Sequence, residues 1–208
     1  MVVAEPINKV NLERLTNGIY AFTMTLMIRN ISSPAAGTLS DATTFFRFIN
    51  TTVYAVFDFI GAFLILGMFW LFYYQMFHRM KTFDSRFLYI HLLSLMVVVF
   101  VPFTQSFTSD GSEIPIADIV FQINYLALAV LLAGAWYYAC RARPSLLVPE
   151  LTGAEAVFLQ KKFLVPVGVS IFGITILLSG FPYFDVIYLF PFAIIAIFFH
   201  HPPGVPAE

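Results

Sequence analysis

Six stretches of this chain are apolar for long enough to cross a bilayer, at about 11–29, 49–76, 86–107, 115–140, 163–180 and 183–199. A hydrocarbon core about 30 Å thick needs roughly 17 to 25 residues of helix. No irregular or open-edged backbone can sit there, because its peptide groups would have no partners. That one pattern limits the chain to an all-α integral membrane protein with lipid as its solvent. Composition agrees. Of 208 residues, 60% are hydrophobic and 11% charged, against about a quarter charged in an ordinary soluble domain. The mean hydropathy is +0.84. The whole chain, 1–208, reads as a single six-helix domain.

The last two stretches are divided by Gly180-Phe181-Pro182, a turn that forbids one continuous helix. The charges of the connections alternate. Lys9 and Arg14 flank the first helix, Arg79, Lys81 and Arg86 follow the second, and Arg141, Arg143, Lys161 and Lys162 lie between the fourth and fifth. The remaining connections carry only Arg29 and Arg47. Placing the first group in the cytoplasm puts nine of eleven Lys and Arg inside. The positive-inside rule then sets both ends on the cytoplasmic face, N-in and C-in. The start, MVVAEPINKVNLERL, has no signal-peptide pattern, so the first membrane helix is expected to drive insertion. Residues 30–48 read as a mobile external loop, with a weak glycosylation sequon at Asn30. The segment 144–160, with Thr152 three residues before Glu155, reads either as an early start of the fifth helix or as a short helix along the membrane surface. The Pro-rich end, HHPPGVPAE, reads as disordered.

The parts needed for most enzymes are missing. No HExxH, GxSxG, Gly-rich phosphate loop or Cys/His metal cluster occurs, which points away from catalysis, from a metal site, from any cofactor and from nucleic acid as a partner. Cys140 is alone and reads as a packing residue, and His200 and His201 as an interfacial pair at a helix end. Polar groups inside the membrane are more telling because lipid makes them costly. Asp58 is expected to face the bundle interior, protonated or paired. His91 lies early in the third helix and Gln122 and Asn124 in the fourth; Asp118 and Asp185 read as solvated interfacial acids.

The first helix is unusual. Leu15, Gly18, Phe22, Thr25 and Arg29 are spaced 3, 4, 3 and 4 apart and share one helical face. Two readings are open. The helix is internal, with hydroxyls bonded to backbone and Arg29 reaching outward. Or several copies surround an axis, with Phe22 as a hydrophobic constriction and Thr25 as a hydroxyl ring.

Around this helix the sequence resembles the single-repeat prokaryotic relatives of the lysosomal potassium channel transmembrane protein 175. Their signature is an Arg, three variable residues and then Phe-Ser-Asp. With Asn17-Gly18-Ile19-Tyr20-Ala21-Phe22-Thr23-Met24-Thr25-Leu26 setting the register, Asn11, Leu15, Thr16 and Asn17 fall on its four fixed positions. Trp70 with Tyr73-Tyr74 stands where a Trp-x-x-His-His segment ends the second helix. Arg86 to Leu93, with His91 where Asn is usual, and Pro102-Phe103-Thr104 match the third. The likeness is detailed over 11–107 and rests on topology and size beyond.

The resemblance implies a homotetramer in a prokaryotic plasma membrane, with helix 1 lining the pore and K+ as the permeant ion. It implies Phe22 as the gate, Thr25 as the selectivity position, and Leu15, Gly18 and Arg29 as further pore-lining residues. Asn11, Thr16, Asn17 and His91 are then expected to hold helix 1 against helices 2 and 3, with Asp58 or Asp41 as an acid partner for Arg29. Both charged signature members are replaced by Asn. Losing both together avoids a lone buried charge, which would cost about 3–5 kcal/mol. Arg29 opposes cation entry, so weak selectivity is expected. Two other functions fit the same chain: a proton-coupled secondary transporter relaying through Asp58 and His91, and a non-conducting membrane subunit.

Overall fold

The computed structural model describes residues 8–34, 41–109, 115–180 and 190–199. Among them the architecture is all helical: α1 (Lys9–Leu26), α2 (Ala42–His78), α3 (Ser85–Ser109), α4 (Pro115–Tyr137), α5 (Gly153–Leu178) and α6 (Phe190–Phe198). A 3-10 turn, Met27–Asn30, extends α1, and a π turn, Tyr138–Ala142, extends α4. Among the described residues, four helices are long and apolar enough to span a membrane: Ala42–His78, Ser85–Phe107, Asp118–Ala142 and Gly153–Leu178. The described part of α6 is nine residues long; 181–189, where the sequence places its beginning, lie outside the described residues, as do Asp185, His200 and His201.

Two helices begin earlier than hydropathy indicates. α2 has 37 residues and starts at Ala42, so 42–48, read above as loop, are helical. Asp41 explains the start: its carboxylate accepts from the Thr44 amide at 2.8 Å and from the Thr44 hydroxyl at 2.7 Å, satisfying donors that a helix N-terminus leaves free. At 1.5 Å per residue the helix is about 55 Å long, well beyond the hydrocarbon. α5 starts at Gly153, ten residues before its apolar run. Thr152 caps it by accepting from the Glu155 amide at 3.2 Å, so of the two readings of 144–160 the early start is the one observed. Gly180, at φ 75°, ends this hairpin arm in the left-handed conformation that glycine adopts without strain.

The basic connections gather at one end of the bundle. The turn after α2 pairs with the segment after α4: Lys81 N–H donates to Leu146 O at 2.7 Å and Val148 N–H to Arg79 O at 3.1 Å. Arg79 and Glu155 form an ion pair at 2.6 Å. The Asp84 carboxylate accepts from the Tyr138 hydroxyl at 2.6 Å and the Phe87 amide at 2.8 Å. The α1 ammonium of Lys9 donates to Met80 O at 2.8 Å, placing a cation where the end of α2 is electronegative. Between these ends and the opposite one, rings of α2, α4 and α5 interlock: Phe69 on Tyr125, Phe72 on Phe163 and Trp136 on Phe163, with centroids 5.3–5.8 Å apart.

Candidate functional site on helix α1

α1 presents two faces. Leu12, Thr16, Tyr20, Thr23 and Met27 are buried, spaced 4, 4, 3 and 4 as one helical stripe requires. This face packs on α3 and α2. The opposite face carries Leu15, Gly18, Phe22, Thr25 and Arg29, and every one of them is exposed. Phe22 is 59% exposed, an uncommon setting for a ring in the middle of a helix unless lipid or another chain covers it. A Cβ built on Gly18 meets nothing within 4 Å, so packing within this chain does not demand glycine there. The Thr25 hydroxyl donates back to Phe22 O at 2.7 Å, which leaves its oxygen lone pairs free to face outward.

The buried face is fastened by polar links. The Thr16 hydroxyl donates to Leu12 O at 2.8 Å. Its oxygen lies 2.7 Å from His91 Nε2. With the hydroxyl proton committed to Leu12, His91 Nε2 must carry the hydrogen and donate, which fixes the tautomer and leaves Nδ1 bare. Nδ1 has no partner among the described residues. Tyr73, Phe77 and Phe87 wall the imidazole in, with centroids 4.8, 5.1 and 6.3 Å away. The Tyr73 hydroxyl continues to Ser94 at 2.6 Å. Asn17 Oδ1 accepts from the Trp70 indole at 2.8 Å. At the other end of the helix, the Asn30 amide donates to Pro102 O at 3.1 Å and Gln105 Oε1 at 2.8 Å.

Thr16, Asn17 and His91 are thus brought into the α1–α2–α3 seam, and Trp70, Tyr73 and Ser94 join them. Asn11 is not: it is exposed, and its side chain makes no hydrogen bond among the described residues. One helical turn before Leu15 and 140° around from Thr16, it belongs angularly with the free face. Asp58 departs more sharply. It is exposed rather than turned into the bundle, because the outer half of α2 outruns the helices beside it and the first buried α2 residue is Ala62. Asp58 keeps contacts of its own. It stands 15 residues from Tyr73, the α2 neighbour of His91, or about 22 Å along the helix. A proton relay between Asp58 and His91 therefore has no short path. Lys9, Glu13, Asn17, Trp70, Tyr74 and His78 line a cavity of about 240 Å³ at the basic end, where Lys9 and Glu13 already pair at 3.8 Å.

The sequence places Trp70 at the end of helix 2 but does not reveal its bond to Asn17, although a membrane-embedded indole needs an acceptor. Asn30 reads from the sequence as a loop residue and weak glycosylation sequon; nothing local marks it as a clasp between α1 and the Pro102 turn of α3.

Comparison with known proteins bears on this seam directly. Residues 11–102 match the family model of the endosomal/lysosomal potassium channel TMEM175, the stretch from α1 to the Pro102 turn. A potassium channel of Streptomyces collinus is 26% identical over 136 residues, which cover 62% of this chain and 63% of that protein's length. The crystal structure of a lysosomal potassium-selective channel TMEM175 homologue from Chamaesiphon minutus shares the fold, with a TM-score of 0.74 over 92% of this chain and 96% of that one at 18% identity. From α1 to the Pro102 turn the chain is similar to the TMEM175 potassium channels, and over most of its length it shares the fold of a homologue of them.

Proposed function

We propose that this chain is the subunit of a homotetrameric cation channel of potassium type, with α1 from each copy lining an axial pore. Phe22 forms the hydrophobic constriction, Thr25 the polar ring beside it, and Leu15, Gly18 and Arg29 complete the lining. K+ is the permeant ion, and selectivity over Na+ is weak. The single six-helix domain sits in a prokaryotic plasma membrane with both ends in the cytoplasm. Two observations support that topology: the basic connections share one end, and the Phe199 ring at the end of α6 packs 5.3 Å from Phe158 near the start of α5.

The observation that carries the reading is the two-faced α1. Its core face is locked by Thr16–His91 and its flank by Asn17–Trp70, while its free face bears a threonine and an arginine that lipid would not favour. A dry ring of Phe22 side chains gates ions by excluding water, and hydroxyls beside it replace part of an ion's hydration. The test is single-channel recording of the reconstituted protein. Phe22→Ala widens the constriction and is expected to raise unitary conductance, and Thr25→Val to alter the K+ to Na+ permeability ratio. Unchanged currents in Phe22→Ala would remove Phe22 from the pore.

A further inference from the structure

The free face of α1 carries a second cation besides Arg29. Arg14 lies two residues before Thr16, about 200° around the helix from it, so it stands nearly opposite the buried stripe. It is exposed, as Arg29 is. Among the described residues neither guanidinium makes an ion pair. The only acid between residues 8 and 34 is Glu13. Glu13 lies on the flank toward α2, partly buried beside the cavity, and is engaged by Lys9 at 3.8 Å. The free face is therefore positive at both ends and neutral between. Arg14 and Arg29 are 15 residues apart, about 22 Å along the axis at 1.5 Å per residue. Gly18, Phe22 and Thr25 lie in the interval.

We infer that Arg14 and Arg29 set the charge preference of the pore: a guanidinium ring at each mouth brackets the Phe22–Thr25 constriction and admits small inorganic anions such as chloride alongside K+. This rests on the proposed axial position of α1. Rings of acids favour cations, and rings of Arg or Lys favour anions. At physiological ionic strength the Debye length is about 8 Å, far less than the separation of the rings. Each ring therefore acts on the mouth it occupies and leaves the other alone. The outer ring depresses cation entry from outside and the inner ring entry from the cytoplasm. The two effects balance in the native channel and become visible when one ring is removed.

The experiment is whole-cell recording, in which every channel has the same orientation, using KCl gradients to obtain the K+ to chloride permeability ratio. The double variant Arg14→Gln/Arg29→Gln is expected to raise that ratio roughly tenfold, the lower end of what a charged cleft does to local ion concentration. Arg29→Gln alone favours inward K+ current and Arg14→Gln alone favours outward, so the two single variants rectify in opposite senses. Arg14→Lys and Arg29→Lys keep the native ratio, and about 1 M salt, which shortens the Debye length to about 3 Å, shrinks the differences. An unchanged ratio in the double variant, with Phe22→Ala still raising conductance, overturns the inference and leaves the pore reading intact. If no variant carries current and neither does the native chain, the pore reading falls and the inference falls with it.

Discussion

His91 and Thr16 show how much one hydrogen bond decides on this helix. The Thr16 hydroxyl has a single proton and spends it on Leu12 O; its oxygen is then the acceptor for His91 Nε2. Thr16→Val preserves shape but removes that acceptor and strands a buried imidazole N–H. The cost of such an orphan is about 1–3 kcal/mol. His91→Leu strands the Thr16 oxygen less severely, since its proton remains satisfied. Replacing both partners by apolar groups should recover much of the loss. Thermal unfolding in detergent of the two single variants and the double variant forms a complete cycle. A double variant as unstable as the sum of the singles would mean that the pair is not coupled. At this scale the sequence was informative where helical period alone sets position. The 3-4-3-4 spacing of Leu15, Gly18, Phe22, Thr25 and Arg29 was enough to put them on one face. It failed for Asp58, whose burial depends on how far neighbouring helices reach, and periodicity carries no such information.

Among the elements, the ends were the hard part. α5 begins ten residues before its apolar run because Thr152 and Glu155 start the helix in the polar layer; hydropathy registers only the part that lipid covers. Thr152→Ala removes the cap and should cost about 1 kcal/mol, visible as faster amide exchange in the first turn of α5 with the rest of the helix unaffected. The turn before α3 offers a pH test. Burial by itself would raise the Asp84 pKa. The Tyr138 hydroxyl, the Phe87 amide and the charges of Arg143 and Arg86 outweigh it and hold the carboxyl below its usual range. A depressed carboxyl contributes stability above its unfolded pKa of about 3.9, and that contribution drains away as pH falls through the lower folded value. Melting temperature of the native protein should therefore drop below about pH 4. Asp84→Asn should melt lower at neutral pH and show a shallower acid drop. An identical acid profile in the variant would assign the decline to other groups.

For the molecule as a whole, the all-helical architecture and the clustering of positive charge came from the simplest physics, the cost of peptide groups and cations in hydrocarbon. The assembly is different in kind. Among the described residues nothing within one copy covers the free face of α1, and Thr25 and Arg29 on it are informative because they suit neither lipid nor the chain's own core. Gly18 gives this argument a direct test. It lies near the centre of the free face, and a side chain added there meets nothing within 4 Å, so the subunit itself tolerates the change. In a Cys140→Ser background, which removes the only native thiol, Gly18→Cys places one thiol per copy. If four α1 helices surround an axis, those thiols converge, and mild oxidation in the membrane should yield disulfide-linked dimers within the tetramer. Ile171→Cys, on a 55% exposed position of α5, serves as the control for random collision. Dimers from Gly18→Cys but not from Ile171→Cys place α1 at the centre of the assembly. Equal yields, or none from Gly18→Cys, would leave its free face to lipid and remove the physical basis for a pore along it.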